Sequence, residues 1–89
     1  MQRLTCFLSG RVQGVGMRYT VGDLARQYPI GGFVENLDDG RVRIVLEGPS
    51  EVLDAFLERL IEIAPGHIQK LDRFQSEATG EFRQFVIRR

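Results

Sequence analysis

The sequence predicts an α+β sandwich in which an antiparallel sheet carries two helices on one face. Three observations predict it. Alternating and helical hydrophobic periods follow one another in the order β-α-β-β-α-β, with a short extra strand near the end. Each helical segment has a single apolar stripe, so both need a common partner, and one sheet face supplies it. The 89 residues leave room for one core and for no second domain of ordinary size, so residues 1–89 are expected to form one unit.

Leu4, Cys6 and Leu8 alternate with Thr5, Phe7 and Ser9, a period of two that reads as the first strand, stopping at Gly10. Val21, Leu24, Ala25 and Tyr28 fall at i, i+3, i+4 and i+7, giving a helix over about 18–28 that Pro29 and Gly31-Gly32 end. Gly22 inside it costs about 1 kcal/mol against alanine, and nothing in the sequence explains it. The runs 33–37 and 41–47 alternate again around Asp38-Asp39-Gly40, a hairpin. After Gly48-Pro49, Ser50 is expected as an N-cap and Glu51 in the first turn. Leu53, Phe56, Leu57, Leu60, Ile61 and Ala64 then make a broad apolar face, ended by Pro65-Gly66. Residues 67–75 read as a fourth strand and 82–88 as a short last one after Thr79-Gly80. This is the split-βαβ, ferredoxin-like order. It brings the Gly10–Arg18 loop beside the Asn36–Gly40 turn.

Twelve basic and twelve acidic side chains cancel, which argues against the broad basic surface of a dedicated nucleic-acid binder. The cancellation is regional. Residues 1–30 carry Arg3, Arg11, Arg18 and Arg26 against Asp23, a net of +3, residues 31–62 a net of −5, and residues 63–89 a net of +2. A small anion site in the first third fits this distribution. No stretch approaches the roughly 20 apolar residues of a membrane span, and no signal-peptide pattern opens the chain. Cys6 has no cysteine to pair with, so a reducing, cytoplasmic setting is expected.

The chemistry concentrates in Gly10-Arg11-Val12-Gln13-Gly14-Val15-Gly16-Met17-Arg18, between a strand and a helix start. Such a loop can aim unpaired amides, backed by the helix dipole, at one phosphate-sized anion, and Arg18 can add a planar fork. The same glycines also read as a tight turn needing positive φ. A P-loop is excluded because no Gly-Lys-Ser/Thr follows, and Tyr19 stands where a dinucleotide loop wants its third glycine. Cys6 has no arginine six residues on, so a cysteine-phosphatase cradle is absent and a buried structural thiol is expected. His67 is the sole histidine and follows a turn, which leaves no catalytic pair or histidine metal site around it. Asp38 and Asp39 read as turn formers. Asn36 can hold a water by either end of its amide, or can cap the hairpin.

The run Gly-Arg-Val-Gln-Gly-Val-Gly-Met-Arg at 10–18, Gly-Phe-Val-Glu-Asn at 32–36 and Asp-Gly-Arg-Val at 39–42 resembles the acylphosphatases. The likeness extends to Glu47-Gly48, Gly80-Glu81-Phe82 and Phe85-Val86-Ile87-Arg88, nearly the whole chain. The resemblance implies the ferredoxin-like sandwich and hydrolysis of the carboxyl–phosphate bond of acyl phosphates, with no metal and no cofactor. It places the phosphate-binding arginine at Arg18, the water-positioning asparagine at Asn36, and the cradle on Arg11, Val12, Gln13, Gly14, Val15, Gly16 and Met17. Met17 stands where the family usually has phenylalanine, and Tyr28-Pro29-Ile30-Gly31 replaces a leucine-glycine-leucine turn. The expected partners are a small acyl phosphate and inorganic phosphate, with no nucleic acid, no membrane and a monomeric state. Two other classes stay open: a phosphate-binding module without turnover, and an RNA-binding domain of the same topology. The strand 41–47 has no aromatic, which counts against RNA.

Overall fold

The computed structural model describes residues 1–89, with elements β1 (Gln2–Arg11), α1 (Met17–Ala25), β2 (Gly31–Asn36), β3 (Val42–Gly48), α2 (Ser50–Ile63), β4 (His67–Glu77) and β5 (Phe85–Ile87). The sheet runs β4-β1-β3-β2-β5. β1 is antiparallel to both β3 and β4, and β2 is antiparallel to β3. Alternate residues Leu4, Cys6 and Leu8, Val34, and Val42, Ile44 and Leu46 turn to one face and are buried there. Against them pack Val21, Leu24 and Ala25 of α1 and Leu53, Phe56, Leu57 and Leu60 of α2, as the two apolar stripes require.

The sheet is mixed rather than wholly antiparallel, because β5 pairs with β2 in parallel, Gly32 opposite Phe85 and Val34 opposite Ile87. The chain reaches that edge by crossing from β4, at the opposite edge, so β5 arrives in the same direction as β2. Only Phe85–Ile87 of the expected 82–88 form strand.

Several boundaries move for identifiable reasons. β1 passes Gly10 and continues to Arg11, because a register shift after Ser9 lets Gly10 and Arg11 pair with Ile68 and His67. Gly10 has φ 117, and a Cβ there would lie 2.6 Å from the His67 carbonyl, so only glycine admits this approach. His67 thus opens β4, exposed, where the fourth strand is expected to begin. α1 stops at Ala25: Gln27 and Tyr28 donate to the Leu24 and Ala25 carbonyls in a tighter turn. Tyr28 still reaches the core, edge-on to Phe56 at 5.7 Å. Ser50 is the first helical residue and caps nothing; Pro49 holds the N-cap position, while Glu51 lies in the first turn as expected. Asp38 and Asp39 are turn residues, with Gly40 at φ 95 and its amide donating to Leu37 O.

Gly22 acquires its reason here. A Cβ on it would lie 2.5 Å from Ile87 Cδ1 and 2.7 Å from Cγ1, so the bare helix surface is what lets β5 close onto α1.

Candidate active site

α1 begins without a side-chain cap and without an acidic residue in its first turn. Gly16, at φ 84, is its N-cap, and Gly14 has φ 72, while no other residue type has positive φ. Gln13, Gly14, Val15 and Gly16 therefore alternate in the sign of φ, a geometry that turns successive N–H groups toward one concavity. The amides from Gln13 to Tyr19 donate to no protein acceptor; the first paired one is Thr20, to Gly16 O at 3.0 Å. Both glycines have open space where a Cβ would be, so φ alone demands them. The positive end of α1 and a row of free donors thus lie together at the start of the helix.

The loop is held on three sides. Val12 and Met17 are buried in the core, so they can offer an anion only their backbone. Gln13 Nε2 donates to Leu37 O at 2.7 Å and Arg41 O at 2.9 Å, tying the loop to the β2–β3 hairpin. Gly66, after α2, packs so closely that a Cβ would come within 2.9 Å of Val15 Cγ2 and collide with the Arg11 carbonyl. Arg11 is the last residue of β1, opposite His67, and its side chain is exposed.

Arg18 and Asn36, placed eighteen positions apart in the chain, meet in one cleft of about 570 Å³ lined by Arg18, Tyr19, Asn36, Ile87 and Arg89. Arg18 projects from the first turn of α1, and its Nη1 donates to the Arg88 carbonyl at 2.8 Å. Asn36 ends β2 on the helix-bearing face, half-buried, and its side-chain amide makes no hydrogen bond within the protein. Both ends of that amide are free for water. Two guanidinium groups and no carboxylate side chain line the cleft, which suits an anion. Tyr19, Ile87 and Arg89 carry no signal in the sequence that marks them for a cleft; β5 brings the last two there.

Other chemistry is remote. Cys6 is fully buried, and burial pushes its thiol up to about 11, so it is no nucleophile. No group of three or more His, Cys, Asp or Glu side chains converges anywhere in the chain.

A family model described as Acylphosphatase matches residues 4–87. The chain is 40% identical over 90 residues to the acylphosphatase of Methanospirillum hungatei JF-1, covering 100% of this chain and 99% of that one. It is 42% identical over 86 residues to the acylphosphatase of Deinococcus radiodurans, covering 96% and 98%. The crystal structure of acylphosphatase from Bacillus subtilis superposes with a TM-score of 0.93 at 34% identity, each chain covered in full. With the ferredoxin-like sandwich and near-complete sequence coverage in agreement, the chain belongs to the acylphosphatase family.

Proposed function

We propose that this protein hydrolyses acyl phosphates to a carboxylate and inorganic phosphate by direct attack of water on phosphorus. The observation that carries the reading is that Arg18 and Asn36 line one cleft, with Arg18 at the end of a loop whose amides are unpaired. The amides of Gln13–Tyr19 and the Arg18 guanidinium hold the phosphoryl oxygens and stabilise the charge that spreads over them in the transition state. Asn36 holds the water in line. Its oxygen bonds to phosphorus as the bond from phosphorus to the acyl oxygen breaks, and the carboxylate leaves with the electron pair. A carboxylate is a good leaving group, so no general acid is needed. The cleft holds no side-chain base, and the water's proton passes to a phosphoryl oxygen or to solvent.

The loop, Arg18 and Asn36 come from one chain, so the site needs only a monomer, and residues 1–89 serve as one domain. The lone Cys6 favours the cytoplasm. Phe7 and Phe33 on the sheet's helix-free face are covered by guanidinium groups, leaving Phe74 as the exposed ring there, which disfavours stacking of successive bases and hence RNA as a partner. No helix is long and apolar enough to cross a membrane.

Hydrolysis of an aryl acyl phosphate, with the matching aryl phosphate monoester as control and each run with and without chelator, tests the mechanism. Turnover of the acyl phosphate alone, unchanged by chelator, is expected. Preference for the monoester or loss of activity on chelation overturns it.

A further inference from the structure

At the end of the sheet opposite the cleft lies a buried carboxylate that the reaction does not use. Glu47, near the end of β3, is only 5% exposed. Its oxygens accept from Arg3 Nε at 2.7 Å, Thr79 N at 2.9 Å, Thr79 Oγ1 at 3.2 Å and Gly80 N at 3.0 Å. Arg3 also binds Thr79 Oγ1 at 3.0 Å and pairs with Glu81. A buried carboxylate is costly unless fully satisfied, and every one of these donors helps satisfy it. Two of them are backbone amides of the segment that leaves β4 at one edge of the sheet and enters β5 at the other.

That segment is a strap, and Glu47 pins it at mid-course. Beyond the pin Phe82 packs against Gly31, where a Cβ would lie 2.8 Å from Phe82 Cβ, and edge-on to Phe33 at 5.8 Å. Gly32 N then donates to Gln84 O at 3.1 Å, and β5 follows. β5 has three residues and one strand neighbour, too little pairing to fix its own register. After it, Arg88 N donates to Val34 O at 2.8 Å, and the carbonyl of the same Arg88 receives Arg18 Nη1. A continuous run of contacts thus joins Glu47 to the guanidinium in the cleft.

We propose that Glu47 is a positioning residue for Arg18, fixing the strap and the register of β5 so that the Arg88 carbonyl holds the guanidinium ready for the phosphoryl group. The proposal rests on the reading of Arg18 as the phosphate ligand. Without the pin, β5 loosens, Arg88 O wanders, and Arg18 must be ordered anew each time an anion binds.

The test uses inorganic phosphate as a competitive probe, the aryl acyl phosphate as substrate, and Glu47→Gln, which keeps the shape but turns an amide NH2 toward donors. The inhibition constant for phosphate and KM are expected to rise together, roughly three- to tenfold, the factor for ordering one long side chain on binding, with kcat within about twofold. Exchange of the Gly32 and Arg88 amide protons is expected to quicken by about tenfold or more. Leu57→Ala, a core truncation in α2 outside the strap, is the control: it lowers the urea midpoint but leaves the phosphate constant unchanged. Where Glu47→Gln does not fold, Thr79→Ala replaces it, with an expected rise of about twofold for the loss of part of the clamp. An unchanged phosphate constant in the folded variant overturns the proposal, as does an equal rise in Leu57→Ala. A wild-type protein that neither binds phosphate nor turns over the acyl phosphate fails the Arg18 reading instead, and the exchange rates then still report whether Glu47 holds β5.

Discussion

Replacing Gly22 by alanine sets two magnitudes of opposite sign against each other. Alanine in a helix interior is favoured over glycine by about 1 kcal/mol. The new Cβ, however, would lie 2.5 and 2.7 Å from two carbons of Ile87. Carbon pairs settle at about 3.5–4.0 Å, so Ile87 must retreat by about 1 Å. It cannot simply swing away with its strand, because Arg88 N is bonded to Val34 O at 2.8 Å and β5 is in register with β2. Overpacking of this kind costs about 1–3 kcal/mol, which leaves Gly22→Ala destabilised by about 0–2 kcal/mol. In an Ile87→Ala background the collision is gone, and the same substitution should stabilise by about 1 kcal/mol. Urea melts of the four proteins give both values and a coupling energy of about 1–3 kcal/mol. If Gly22→Ala stabilises equally in both backgrounds, the glycine is not there to admit β5.

Asn36→Ala should lower kcat about a hundredfold to a thousandfold while inorganic phosphate binds nearly as before, whereas Arg18→Ala loses both; wild-type turnover in Asn36→Ala would remove Asn36 from the mechanism. Gln13→Ala removes two hydrogen bonds between loop and hairpin, at 2.7 and 2.9 Å. Because Leu37 O and Arg41 O keep other donors, the cost should be about 1–2 kcal/mol, and an unchanged melting temperature would show that the tie carries nothing. Cys6 should react with a thiol reagent at pH 8 only as fast as the whole protein opens. Its folded pKa, raised by burial to about 11, lies above the unfolded value of about 8.5. Its contribution to stability is therefore complete below the unfolded value and lost as pH rises toward 11. Labelling of native Cys6 at the rate of a free thiol would contradict the burial.

The elements with strong periods were legible in the sequence because their signals are local. The hairpin of β2 and β3, the apolar face of α2 and the β1 alternation all form as the side chains dictate. From that order alone the Gly10–Arg18 loop falls beside Asn36, and the structure puts Arg18 and Asn36 in one cleft. What could not be read depends on contacts distant in the chain. Tyr28 has the right spacing for α1 but joins the core from a turn, because its packing on Phe56 does not require helix. The direction of β5 is set by the strap's route and not by its three residues. Gln13 resembles any other loop residue until Leu37 and Arg41 lie opposite it, and nothing local marks the Arg88 carbonyl as the partner of Arg18. Gly22 looked like a cost because its benefit belongs to Ile87, 65 residues later.

On the helix-free side of the sheet Phe7, Phe33 and Phe82 are each roofed by arginine, while Phe74, edge-on to Phe7 at 6.0 Å, stays exposed. Arg41 lies 4.7 Å from the Phe7 centroid, Arg88 3.6 Å and Arg43 5.6 Å from Phe33, and Arg3 5.2 Å from Phe82. A two-layer fold normally leaves such a face to water or to a partner; here planar cations act as a third, one-atom-thick layer. Shape therefore matters there as much as charge. Lysine at these positions would keep every positive charge yet shed the flat cover, adding three open phenyl rings to the exposed Phe74. Four arginines and no lysine thus cover three of the phenyl rings that a sheet with helices on one side only leaves without a second sheet behind them.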